Sequence, residues 1–240
     1  LRSFFNPWTI GLLVIMAFFS LRSGTFDHPI DWLMSIVMML PGIVIGLSFH
    51  EYSHALVAYK LGDDTPKLQG RVTINPAAHM DPLGLIALIF VHFGWGKPVQ
   101  INPGNFKKPR RDELLVSLSG VTMNLFIAVV FTFVLKFYVM STGYSSVSAG
   151  MGGTVWMIIF YIIYINLILM VFNLLPIPPL DGFNIITEVF GLKRTDFYYK
   201  IYDKGFIILM ILIVFDFTGR IMTPCIMFFL RLLSNITPFY

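Results

Sequence analysis

A chain of 240 residues with 56% hydrophobic and only 12% charged side chains, at a mean hydropathy of +0.76, is too apolar for a soluble globule and is expected to be an integral membrane protein. Its single cysteine, Cys225, excludes an internal disulfide and a thiolate zinc cluster. The net charge of +4 is informative only through where Lys and Arg fall, and with no basic tract interleaved with aromatics a nucleic-acid partner is not expected.

The first apolar run, Trp8 to Leu21, has no small-residue cleavage site, so a span over about Pro7 to Leu21 is expected rather than a signal peptide, even though the sequence starts at Leu1 without a methionine. A short polar turn, Arg22 to Pro29, leads to a second span over about 31–61. Gly42 and Gly46 lie four apart on one face of it, which lets a neighbouring helix approach closely, and Pro41 is a potential kink.

That second span carries His50-Glu51-Tyr52-Ser53-His54, an H-E-x-x-H sequence. On a helix the two imidazoles stand one turn apart on the same face and can grip one metal ion, with Glu51 beside the open coordination position. A lone histidine on an apolar face is usually a hydrogen-bonded core residue. Three ionisable groups together are another matter, because intramembrane charge costs roughly 2.5 to 3.5 kcal/mol per group and marks a functional site by default.

Between 62 and 112 the composition turns polar and basic, with Lys67, Arg71, Lys97, Lys107, Lys108, Arg110 and Arg111. Leu68 to Asn75 and Lys97 to Asn102 show β-type alternation, and the apolar stretch between them, Leu83 to Trp95, is too short to span. A cytoplasmic, membrane-dipping β-hairpin is expected here. The third span, about 113–140, opens with a small-residue face of Ser117, Gly120 and Asn124. The uncharged loop Ser141 to Gly153 precedes a fourth span, about Thr154 to Leu175, which ends in Asn173-Leu174-Leu175-Pro176-Ile177-Pro178-Pro179-Leu180-Asp181-Gly182, where continued helix is disfavoured. A basic stretch with Lys193, Arg194, Lys200 and Lys204 follows, then C-terminal helices over 205–235. Asp216, Gly219 and Arg220 interrupt these, leaving one long helix or two shorter ones open, with Asp216 and Arg220 expected to neutralise each other.

Lys and Arg are dense after the second and fourth spans and sparse elsewhere, so those two segments are expected to be cytoplasmic. His54 then lies six residues, roughly 9 Å, below that surface, and Asp181 falls on the same side. A catalytic zinc takes three protein ligands, and Val57 stands where the three-histidine version of the motif needs glycine. The third ligand must come from Asp181, Glu188, His79, His92 or Asp216. Asp181 is favoured because a carboxylate in a proline-broken membrane segment belongs in a polar cavity, although an Asp-Gly turn accounts for it equally well on spacing alone.

H-E-Y-S-H on an early span, followed by NLLPIPPLDG at the end of a later one, resembles the site-2 protease family of intramembrane zinc metalloproteases, over about Gly42 to Gly182. The resemblance implies His50, His54 and Asp181 as ligands of one zinc ion, Glu51 as general base, and a catalytic core of helices at about 31–61, 113–140 and 154–182. Gly120 and Asn124 match a family pattern in which Val121 here replaces proline. The expected whole is an all-α polytopic membrane protein of about five to six transmembrane helices with a small β-hairpin at 62–112, forming one domain over 1–240. No PDZ-type domain of about a hundred residues fits the loop after the second span, and no regulatory domain is expected after Tyr240.

The expected activity is hydrolysis of peptide bonds within or near the membrane segments of single-span proteins, in a bacterial inner membrane, with the site toward the cytoplasm. Asn124 beside Gly120 could hydrogen-bond a substrate backbone or developing oxyanion, or simply a neighbouring helix. A strand through Thr73 and Asn75 could pair with an unwound substrate. The rival readings are a membrane metal transporter, a zinc-binding protein without catalysis, and a membrane zinc peptidase using Glu188 as third ligand.

Overall fold

The computed structural model describes residues 10, 11, 14, 18, 27–91, 94–143 and 150–239. Among the described residues, four helices are long and apolar enough to cross a membrane: α1 (Pro29–Lys60), α5 (Pro109–Thr142), α6 (Gly150–Asn173) and α10 (Phe217–Ser234). Between α1 and α5 lie α2 (Thr65–Leu68), α3 (Pro76–His79) and α4 (Pro82–Val91); between α6 and α10 lie α7 (Asp181–Phe190), α8 (Asp196–Tyr202) and α9 (Gly205–Val214). Apart from residues 10, 11, 14 and 18, the expected span at Pro7 to Leu21 falls outside the described residues, as do most of the turn that follows it and His92.

Helices α1, α5 and α6 pack together as the centre of the structure. Lipid tails are as apolar as leucine, so burying apolar surface does little to join helices in a bilayer; close backbone approach and interhelical hydrogen bonds do it instead. Both are present. A Cβ on Gly42 would lie 3.0 Å from the Tyr161 carbonyl oxygen, so that glycine is what allows α1 to meet α6. Ser53 Oγ donates to the Ser119 carbonyl at 3.1 Å, tying α1 to α5. Farther along, Ala128 and Leu135 of α5, Ile163 and Leu167 of α6, Leu209 of α9 and Ile226 of α10 share one apolar core.

The segment between α1 and α5 departs from the expected β-hairpin. Among the described residues no strand forms; the only pairing is an isolated antiparallel bridge between Met80 and Gly96. The alternation was there, but the backbone donors are spent elsewhere: Val99 N–H goes to Glu51 and Asn102 N–H to Asp63, both side chains, while Pro98 and Pro103 have no donor to give. On the other arm, Thr73 N–H bonds the Arg71 carbonyl in a tight turn, which breaks any strand there. The segment is built instead around two buried residues. Asp63 accepts from Thr65 Oγ1 at 2.6 Å, Asn102 N at 2.7 Å and Asn105 Nδ2 at 2.8 Å. His79, fully buried, donates from Nε2 to the Thr73 carbonyl at 2.7 Å, and its own carbonyl accepts from Lys97 N at 2.7 Å. Helix α4 has 10 residues, about 15 Å, and does not span, as its apolar length predicts.

Near the C-terminus the open question is resolved in favour of two helices. The break between α9 and α10 sits at Asp216, which adopts φ 55 in the left-handed region. No ion pair joins Asp216 to Arg220, contrary to expectation; the Arg220 guanidinium lies 5.9 Å from the Phe217 ring centroid instead. An aspartate turned into the left-handed region at a helix start no longer presents its carboxylate one regular turn below residue 220.

Candidate metal centre

His50 and His54 emerge one turn apart from α1, rings edge to face with centroids 4.6 Å apart. Each Nδ1 has a definite partner. His54 Nδ1 lies 2.7 Å from the Val116 carbonyl oxygen, which can only accept, so that nitrogen carries the proton. His50 Nδ1 lies 2.7 Å from Asn124 Oδ1. Asn124 is oriented in turn by its amide nitrogen, which donates to the Gly46 carbonyl at 3.1 Å and to Asn166 Oδ1 at 3.0 Å, while Asn166 donates to the Ile162 carbonyl at 2.8 Å. The chain of carbonyls fixes every donor along it, and His50 Nδ1 must also be protonated.

With Nδ1 so engaged, each ring turns its Nε2 inward, the two nitrogens 3.0 Å apart. Asp181, the first residue of α7, brings Oδ2 to 3.3 Å from His50 Nε2 and 3.2 Å from His54 Nε2. That oxygen is buried and has no hydrogen-bond donor. Two imidazole nitrogens and a carboxylate oxygen that meet in a buried site offer a cation three ligand atoms at once. A tetrahedral ion with donor bonds of about 2.0 to 2.1 Å sets its ligand atoms roughly 3.3 to 3.4 Å apart, and the edges here, 3.0 to 3.3 Å, are close to that spacing. The donor set fits a zinc ion: His50, His54 and Asp181 are the one group of this kind among the described residues.

Gly120 of α5 faces the two rings. A Cβ there would stand 2.6 Å from His50 Cε1 and 2.7 Å from His54 Cε1, so the imidazoles occupy the space a side chain would need. Glu51 is half-buried beside them, its Oε2 accepting from Val99 N at 3.0 Å. A cleft of about 340 Å³ opens over His50, Glu51, His54 and Asp181, with Pro98, Val99 and Ile101 on one side and Asn173, Asn184, Tyr198 and Tyr202 on the other.

The remaining expectations fall differently. Asn124 is completely buried, with both amide hydrogens donated and its Oδ1 against His50 Nδ1. Asn75 caps α3 through Ala77 N, and the Thr73 carbonyl accepts from His79 Nε2. His79 and Asp216 are outside the ligand group. So is Glu188, which pairs with Lys193. Three features had not been singled out: Asn166, the Val99 N–H, and the Lys193 cluster with Glu113 and Glu188. Asn166 did carry a signal, being a polar amide in an otherwise apolar span.

A helical membrane protein with two histidines and an aspartate poised around one cation position, and a glutamate beside it, has the architecture of a membrane zinc hydrolase. The model for Peptidase family M50 matches residues 139–215. The chain is similar to YwhC of Bacillus subtilis (strain 168), at 37% identity over 204 residues, covering 82% of this chain and 88% of that protein. It is also similar to Rip2 of Mycobacterium tuberculosis (strain ATCC 25618 / H37Rv), at 28% over 180 residues, covering 72% of this chain and 65% of that one. Both relatives are provisionally named zinc metalloproteases. No solved structure matches the chain. The chain belongs to peptidase family M50, the site-2 protease family, and is a zinc metalloprotease of the membrane.

Proposed function

We propose that this protease cleaves peptide bonds within or beside the transmembrane segments of single-span membrane proteins, with His50, His54 and Asp181 holding one zinc ion and Glu51 as general base. The observation that carries the reading is the convergence of three buried acceptors on α1 and α7, with Glu51 on the adjoining edge of the same cleft. Bound there, zinc supplies Lewis acidity that acidifies water and polarises a peptide carbonyl.

The chain's own residues do the rest. Val99 N–H holds one oxygen of Glu51, which leaves the other to take the proton of the attacking water and to return it to the departing amine nitrogen. Asn124 and the Val116 carbonyl keep both imidazole protons on Nδ1, so each Nε2 stays a donor to the metal throughout. A helical substrate hides its peptide bonds in its own hydrogen bonds and must be unwound. That Pro98, Val99 and Ile101 line the cleft, as Thr73 and Asn75 do not, supports docking of the unwound strand along this stretch. The density of Lys and Arg after α1 and after α7 supports a cytoplasmic mouth in a bacterial inner membrane, and the described elements are read as one catalytic domain.

The test is metal analysis of the purified protein together with cleavage of single-span candidates by wild type and Glu51→Gln. Equal cleavage by the two, or a protein without stoichiometric zinc, defeats the proposal.

A further inference from the structure

Helix α7 begins at Asp181 and is gripped at its other end. Lys193, in the turn after α7, pairs with both Glu188 of α7 and Glu113 of α5. Arg110 of α5 donates from Nε to the Glu188 carbonyl at 2.6 Å, which Gly191 N–H also reaches at 3.3 Å, and from Nη2 to the Val189 carbonyl at 2.7 Å, at the helix end where Gly191 turns the chain at φ 68. Glu188 is only 5% exposed, a burial that is costly without its ammonium partner.

The position of these groups matters more than their pairing. Asp181 and Glu188 are seven residues apart, two turns, so they share a face of α7 about 10 Å apart along its axis. On α5, Glu113, Val116, Gly120 and Asn124 recur at helical spacing along one stripe: Asn124 and Val116 orient the two imidazoles, Gly120 makes room for them, and Glu113 reaches the far end of α7 through Lys193. One helix face thus fixes the histidines and the rod that carries the aspartate. Turning α7 by about 20° about its axis would carry a carboxylate some 6 Å off that axis through roughly 2 Å, beyond the half-ångström tolerance of a metal ligand.

We propose that Lys193, with Glu113 and Arg110, is a positioning clamp that sets the register of Asp181 against His50 and His54 from the border of the cleft that Lys193 and Glu113 also line. The inference rests on the ligand set proposed above.

It is tested on the full chain by competing zinc away with a chelator at a temperature well below unfolding, in wild type, Lys193→Met, Lys193→Arg, Glu113→Gln, Asp181→Ala and the double variant Asp181→Ala/Lys193→Met. The clamp predicts that Lys193→Met and Glu113→Gln each weaken zinc binding about tenfold or more, that Lys193→Arg restores it, and that Lys193→Met adds nothing once Asp181 is gone. Wild-type zinc affinity in Lys193→Met, or an equal loss with and without Asp181, overturns the clamp. Where Lys193→Met does not fold, Glu113→Gln, which keeps the Lys193 to Glu188 pair, decides alone. An Asp181→Ala variant that holds zinc as wild type does would instead bring down the ligand assignment, and the clamp with it.

Discussion

The backbone N–H of Val99 donates to Glu51 Oε2 across 3.0 Å, joining the segment that should have been a hairpin strand to the helix that carries the H-E-x-x-H motif. The bond orients the carboxylate and brings the extended stretch around Val99 to the mouth of the cleft. Glu51→Gln keeps an oxygen for that N–H but cannot take a proton. Peptide hydrolysis should fall by about a hundredfold or more, with zinc content and melting temperature unchanged, as measured by cleavage of a single-span substrate beside metal analysis. Loss of zinc in this variant would mean that Glu51 helps hold the ion.

Asn124 is the hinge of a buried polar chain from Ile162 through Asn166 to His50. Asn124→Leu removes the group that keeps the His50 proton on Nδ1 and strands the Asn166 oxygen. Zinc affinity should drop by about 10- to 100-fold, and the unsatisfied groups should cost about 1 to 3 kcal/mol of stability. Asn166→Leu, one step farther from the ring, should lose less affinity. Chelator competition orders the two variants, and a reversed order would contradict the relay.

Gly120→Ala separates helix propensity from site geometry. In an open helix position alanine stabilises by about 1 kcal/mol over glycine. Here the new methyl would sit 2.6 Å from His50 Cε1, so zinc retention and activity should both collapse. A fully loaded, more stable Gly120→Ala protein would show that the rings have room to move.

Asp63 gives a pH signature outside the membrane segments. Burial works against its charged form, yet hydrogen bonds from Thr65, Asn102 and Asn105 prevail and hold its carboxyl below the ordinary value of 3.8. A depressed folded-state pKa contributes stability that is present above the unfolded value and is lost as pH falls through the folded one. Acidification below about pH 4 should therefore loosen the segment from Asp63 to Asn105. Hydrogen exchange of the Asn102 amide against pH should show it, and Asp63→Asn should exchange faster at neutral pH with a flatter acid dependence.

The apolar runs and the H-E-x-x-H spacing were legible because they are set by local, periodic constraints. A bilayer demands uninterrupted apolar helix, and a 3.6-residue turn puts residues 50 and 54 on one face wherever that helix goes. The small-residue faces at Gly42 and Gly120 announced close approach in the same way, without saying to what. What failed at sequence level was each feature whose outcome depends on a distant partner. Residues 97–102 alternate like a strand, but their N–H groups find Glu51 and Asp63 rather than another strand. Lys193 looked like one more basic loop residue, because its partner Glu113 lies 80 positions away.

By itself, then, the sequence determined that this is a membrane protein with a two-histidine metal motif inside a span, since hydrophobic length and helical period are local properties. Only the tertiary structure decided that Asp181 rather than Glu188 faces the imidazoles, and that the Asn124 side chain lies against His50 Nδ1. Those outcomes depend on how α5 and α7 pack against α1, and a buried polar group is assigned only by the neighbours that satisfy it.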